Sequence, residues 1–181
     1  MWWSRRALPA LLGAVLLALA ACGFHPLYGP VGNAPNAPNV QAQLEAVHIV
    51  PPVDRTGQIL YNALRDRLNP RGVPAKAHYE LTVTVREEQI ELLLQQDETA
   101  SRSNITLYGD YMLRVAGGKR QVLVQGTTRA RTAYNVLTSE YATRTAAGDA
   151  RARAATEIAE SIRERLGVYF SEALAAAQTP K

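Results

Sequence analysis

The chain has 181 residues, 47% of them apolar and 20% charged, which suits one small globular domain and excludes a disordered tail, a collagen-like chain or a polytopic membrane protein. Its formal charge of +4 includes Arg5 and Arg6; without those two it is +2, so a pI near 9.4 gives no reason to expect a nucleic-acid partner. The single cysteine cannot close an internal disulfide, so it is a structural thiol, a reactive thiol or a modified one.

The first segment bears on that choice. Arg5 and Arg6 precede an apolar run from Ala7 to Ala21. About 15 residues is too short to span a bilayer comfortably and matches a secretory signal peptide, which assigns residues 1–21. The ending Leu19-Ala20-Ala21-Cys22 resembles the lipobox of bacterial lipoproteins. That resemblance implies a mature terminus at Cys22, acylated on its sulfur and on its amine, with more anchoring than the two signals stable attachment needs. In lipoproteins of the enterobacterial type an Asp after the cysteine implies inner-membrane retention; residue 23 is Gly, so the expected address is the inner face of the outer membrane.

Residues 22–39 form the expected acylated tether. Pro26, Gly29, Pro30, Gly32, Pro35 and Pro38 interrupt any period, so the segment reads as extended and flexible. Residues 40–181 read as a single domain. Leu44 to Val50 predicts a strand stopped by Pro51-Pro52. Asp54 or Thr56 caps a helix through Leu68, with Ile59, Leu60, Ala63, Leu64 and Leu68 on one stripe, and Asn69-Pro70-Arg71-Gly72 ends it. Strands follow at about 79–94, 103–116 and 120–133. Residues 134–148 give no clear pattern. A last helix spans about 149–177, with an apolar stripe of Ala154, Ile158, Ile162, Leu166, Tyr169, Phe170 and Leu174. The order β-α-β-β-β-α predicts an α+β two-layer sandwich: a four-stranded, mostly antiparallel sheet with two helices on one face. The place of the first strand in that sheet is open.

Register follows from matching apolar faces. Gly117-Gly118-Lys119-Arg120 reads as a hairpin turn with Gly118 where positive φ is wanted. Pairing about it sets Val115 by Val122, Leu113 by Val124, Tyr111 by Gly126 and Leu107 by Ala130. The preceding strand is apolar at Leu81, Val83 and Val85, then at Ile90, Leu92 and Leu94. This slip of parity predicts a β-bulge near Glu87-Glu88, opposite Gly109.

The same register turns Arg102, Arg129 and Arg131 outward, with Tyr108 opposite Arg129 and Thr106 opposite Arg131. Arginines beside a tyrosine suit a phosphate or another anion, because guanidinium forks onto two oxygens and its stem lies on the ring. The competing reading is structural: Glu88 and Glu91 on the neighbouring strand neutralise the arginines. Catalytic signatures are absent from the sequence. His25, His48 and His78 lack zinc spacing, there is no nucleophile elbow or phosphate loop, and no cofactor or metal is expected. Glu87-Glu88 reads as solvated charge because adjacent strand residues face opposite ways, and Asp97-Glu98 because it sits at a hairpin tip. Tyr79, Tyr111, Tyr134, Tyr141 and Tyr169 read as core or rim.

The run Cys22-Gly23-Phe24-His25-Pro26-Leu27-Tyr28 resembles the mature start of the lipopolysaccharide-assembly lipoproteins of the LptE family, in its alphaproteobacterial form. The likeness continues at Val53-Asp54-Arg55-Thr56-Gly57-Gln58-Ile59-Leu60-Tyr61-Asn62-Ala63-Leu64, at Ser139-Glu140-Tyr141-Ala142 and through Asp149-Ala150-Arg151 to Tyr169-Phe170. It implies a non-enzymatic lipoprotein that plugs the outer-membrane β-barrel LptD, supports its assembly and assists lipopolysaccharide insertion into the outer leaflet. The partners so implied are the barrel, lipopolysaccharide and the membrane holding the acyl chains. Lipid A phosphates become the anion for Arg102, Arg129, Arg131 and Tyr108, an assignment that rests on the register and not on the family. An auxiliary lipoprotein of a periplasmic ABC-type lipid-transport system is the alternative.

Overall fold

A computed structural model describes residues 39–92, 101–117 and 121–178. The predicted signal peptide, Cys22, nearly all of the tether, Gly118 and Asp97-Glu98 lie outside the described residues.

The chain opens with a short helix, α1 (Val40–Glu45), where the sequence reading placed the start of a strand. Asn39 caps it, its side-chain oxygen accepting from the Ala42 N–H at 2.6 Å. Val40 and Leu44, four residues apart, are both buried. That spacing suits one helical face as well as it suits a strand. Strand β1 is correspondingly short (Val47–Ile49) and lies parallel to β2 (Tyr79–Leu92) at the edge of the sheet, with Val47 beside Tyr79 and Ile49 beside Leu81. Between them runs α2 (Arg55–Leu68), capped by Asp54, whose carboxylate accepts from the Gly57 N–H at 2.7 Å. Its predicted stripe is the buried one: Leu60, Leu64 and Leu68 are buried, and Ile59 and Ala63 pack against the core. Asn69 ends the helix, and Gly72 supplies the left-handed φ of 105° that turns the chain back.

Strands β2, β3 (Ser101–Val115) and β4 (Val122–Val136) make an antiparallel meander, giving a mixed, open sheet in the order β1-β2-β3-β4. Leu113 faces Val124, Tyr111 faces Gly126 and Leu107 faces Ala130, as predicted. Nearer the turn the ladder shifts, so Val122 stands beside Arg114 instead of Val115. Leu123 is the extra residue, and the shift lets Leu123 and Val124 both pack against the core.

The bulge predicted near Glu87-Glu88 is not there. β2 and β3 pair without interruption from Tyr79 with Val115 to Leu92 with Arg102. Odd-numbered residues of β2 therefore keep facing the helices beyond Val85, and polar groups on that side find polar partners. Arg151 donates from Nε to both Glu87 oxygens at 2.9 and 3.0 Å, and the Gln89 amide donates to the Tyr134 hydroxyl at 2.9 Å. Ile90, expected inside, is 47% exposed on the opposite face. Gly109 has a different use: a Cβ there would stand 2.8 Å from Cγ2 of Ile158, so the missing side chain lets the last helix lie close to the sheet.

That helix, α3 (Glu140–Gln178), starts nine residues before the predicted Asp149. Ser139 caps it, its hydroxyl accepting from the Ala142 N–H at 3.4 Å. Ala147, Ala150, Ala154, Ala155 and Ala159 are buried, and Ile158, Ile162, Leu166 and Phe170 continue the stripe. At about 1.5 Å per residue α3 is about 58 Å long, against about 50 Å for the long strands. Both long helices cover one face of the sheet, and Glu160 of α3 joins them by accepting from Arg67 of α2 at 3.0 Å, while Arg163 on its own helix donates to its other oxygen at 3.1 Å. The amino-terminal end of the described chain lies beside the start of β2 and the end of α3: Tyr79 donates to Gln43 at 2.9 Å and its ring centroid stands 4.9 Å from that of Phe170. Among the described residues no helix is long and apolar enough to cross a membrane.

Candidate anion-binding face

With the helices on one side, the even-numbered residues of β2 and β3 and the odd-numbered residues of β4 form the other side. Successive cross-strand rows there are Thr82-Met112-Gln125, Thr84-Asp110-Thr127, Arg86-Tyr108-Arg129 and Glu88-Thr106-Arg131. The next rows hold Ile90, Asn104 and Ala133, then Arg102 and Asn135. This is a polar face on a long antiparallel sheet, the pattern of a surface that meets water.

Tyr108 is its centre. The Arg86 guanidinium carbon lies 5.2 Å from the ring centroid, and the hydroxyl donates to Glu88 at 3.1 Å. Arg86 also donates to Asp110 at 3.2 Å, and the Thr127 hydroxyl donates to the other oxygen of Asp110 at 2.6 Å. The Thr127 hydrogen bond, with Arg86 adding to it, holds the Asp110 carboxyl below its usual range. Both acids near the centre are thus engaged. Glu88 does not neutralise Arg131 as the structural reading expected, because the two are separated by the whole width of β3, about 9–10 Å. Arg131 donates instead to the Thr106 hydroxyl at 3.4 Å. Among the described residues Arg129 and Arg131 are in no ion pair.

The four residues singled out in the sequence do not form one cluster. Arg129, Arg131, Tyr108 and Thr106 are brought together in adjacent rows, as the register predicted. Arg102 is outward and exposed, but lies six residues along β3 from Tyr108, about 20 Å at strand spacing. Arg86 was missed, although the uninterrupted register of β2 with β3 puts it directly beside Tyr108. Arg165, on α3, was missed as well; it reaches the rim of this face at the β4 edge, where it lines an open cleft with Tyr108, Thr127, Thr128, Arg129 and Ser161. Only knowledge of which edge α3 covers could have placed it.

Elsewhere the paired acids behave as the strand period requires, Glu87 turning in to Arg151 and Glu88 out to Tyr108. Tyr111 and Tyr134 are buried and Tyr79 and Tyr169 partly so, whereas Tyr141 is 82% exposed. No three of His, Cys, Asp or Glu converge among the described residues.

A mixed sheet backed by helices on one side, with a wetted arginine-bearing face on the other, defines a two-layer protein of the α+β class. The sequence matches the LptE family, described as lipopolysaccharide-assembly, over residues 44–166, and the chain belongs to that family of non-enzymatic lipopolysaccharide-assembly lipoproteins. No curated protein matches it. Among solved structures it is similar to a protein of Caulobacter crescentus CB15 named as a lipoprotein, with 23% identity and a TM-score of 0.62 over 73% of this chain and 96% of that one. It is also similar to a minor lipoprotein of Acinetobacter baumannii, with 14% identity and a TM-score of 0.50 over 67% and 88%. These likenesses concern the fold.

Proposed function

We propose that this chain is a triacylated lipoprotein of the outer membrane, held by Cys22 and a tether over residues 22–39, whose domain occupies the lumen of an LptD-type β-barrel. There it supports assembly of the barrel and assists delivery of lipopolysaccharide to the outer leaflet. The observation that carries the reading, beside family membership, is the one-sided sheet: one face is sealed by α2 and α3, and the other is a long polar surface suited to a water-lined wall. The described chain starts at the Phe170 end of the slab, opposite the Arg102 end. Arg129 and Arg131 with Tyr108, and Arg102 farther along, offer positive charge to lipid A phosphates.

Affinity purification of the acylated protein from detergent-solubilised outer membranes tests the proposal. The expected result is recovery of a heat-modifiable β-barrel in equal amount. A solitary protein, a bare thiol at Cys22 or a copurifying ABC permease would refute it. In a lipopolysaccharide-binding assay, Arg129→Glu with Arg131→Glu should weaken binding; unchanged binding removes the anion assignment and leaves the barrel role standing.

A further inference from the structure

We infer that the cleft at the β4 edge, between Arg129 of the sheet and Arg165 of α3, is a binding site for a phosphate monoester carried on a glycolipid headgroup. The inference deepens the lipopolysaccharide reading and rests on it. The cleft is open, with a volume of about 400 Å³, and its lining comprises Tyr108, Thr127, Thr128, Arg129, Ser161 and Arg165. Two arginines from different layers of the fold thus line one opening with no acidic residue among its walls. Two like charges on one opening favour an anion between them.

The surroundings leave both cations available. On α3 the neighbours of Arg165 at three and four residues' distance are Ser161, Ile162, Val168 and Tyr169, so no acid can pair with it along the helix. The residue opposite Arg129 is Tyr108, whose hydroxyl is committed to Glu88, and the nearby Asp110 is committed to Thr127 and Arg86. Neither Arg129 nor Arg165 is in an ion pair among the described residues.

The hydrogen-bond directions add a third donor. Thr128, only 6% exposed, donates its hydroxyl to Ser161 at 3.0 Å. Ser161 therefore accepts that bond and keeps its own proton for the cleft. Two arginine forks and one hydroxyl suit the three terminal oxygens of a monoester. A carboxylate has only two oxygens to offer, and a phosphodiester carries a single negative charge. The site sits where sheet edge and helix rim meet, so a headgroup can enter from the side while its acyl chains stay outside.

The test uses full-length acylated protein in non-ionic detergent, with bisphosphorylated lipid A, dephosphorylated lipid A, phosphatidylglycerol and inorganic phosphate as probes. Wild type should bind bisphosphorylated lipid A and bind the dephosphorylated form and the diester at least tenfold less well. Arg129→Gln and Arg165→Gln should each weaken lipid A binding about tenfold, the size of a lost charge-assisted contact. Arg55→Gln, on the far helix, should leave it unchanged. Full-strength binding by Arg165→Gln while wild type binds lipid A overturns the cleft and spares the wider reading. No lipid A binding by wild type fails the glycolipid reading itself. Equal affinity for inorganic phosphate overturns the glycolipid source. Loss of the copurifying barrel by Arg129→Gln/Arg165→Gln with lipid A binding intact makes the cleft a protein contact and overturns the inference.

Discussion

Replacing Gly109 with alanine probes the closest approach of α3 to the sheet. The new methyl carbon would stand 2.8 Å from Cγ2 of Ile158, 3.6 Å from Cγ2 of Thr128 and 3.8 Å from Cδ1 of Ile158. Ile158 is fully buried, and its Cγ2 is attached to a branched Cβ whose χ1 has one strongly preferred rotamer in a helix. The clash is therefore relieved chiefly by moving the helix. Overpacking of this kind costs about 1–3 kcal/mol. The loss of glycine's freedom in the unfolded chain returns about 0.4–1 kcal/mol. The net expectation is destabilisation by about 1–2 kcal/mol, a fall in Tm of about 3–8 °C, read from thermal and urea unfolding by circular dichroism. Ile158→Ala alone should cost about 2–5 kcal/mol, and combining the two should cost less than their sum by about 1–2 kcal/mol, because the clashing carbon is gone. A Gly109→Ala protein as stable as wild type, or strict additivity, would refute the reasoning.

Three further outcomes follow from the same contacts. Glu87→Gln weakens the forked ion pair that ties β2 to α3; with side chains of Arg151 and Glu87 that are 30% and 23% exposed, the cost in urea unfolding should be about 1–2 kcal/mol. Asn69→Ala removes a buried amide that donates to the carbonyls of Glu45 and Val47, both at 3.1 Å, and should cost about 1–3 kcal/mol, with amide exchange rising first in α1 and β1. Asp110 has a folded-state pKa below its ordinary 3.8, so it stabilises the fold above that pH and the contribution fades as pH falls through the lower folded value. The stability gap between wild type and Asp110→Asn should accordingly be present at pH 6 and narrow below pH 3.8; a gap that widens in acid contradicts the assignment.

Much of the architecture was legible because it rests on period and stop signals. The stripe of α2 and the β3-β4 register from Leu113 with Val124 onward followed from side-chain spacing and the place of the hairpin, and Asp54 was one of the two caps the sequence offered. Errors arose where one rule was applied without its exception. Requiring every apolar residue of β2 to face inward demanded a bulge, whereas Arg151 and Tyr134 make Glu87 and Gln89 tolerable inside and Ile90 is simply left outside. A real parity slip exists, but at Leu123, where the nearby turn obscured it. The first turns of α3 hid because Gly148 falls among them, a residue that weakens helix propensity, yet space around it is open and the helix runs through. In the candidate site, the sheet residues could be read from cross-strand arithmetic. Arg165 could not, since its place depends on how a helix lies across strands distant in sequence.

A single helix that runs the full length of the sheet is a spar. Bending the sheet along its strands therefore means bending α3 with it, or shearing the helix's own buried alanines past Gly109. A push at the Phe170 end is carried along α3 toward the Arg102 end, and whatever meets the slab must fit a stiff body that will not fold to suit it.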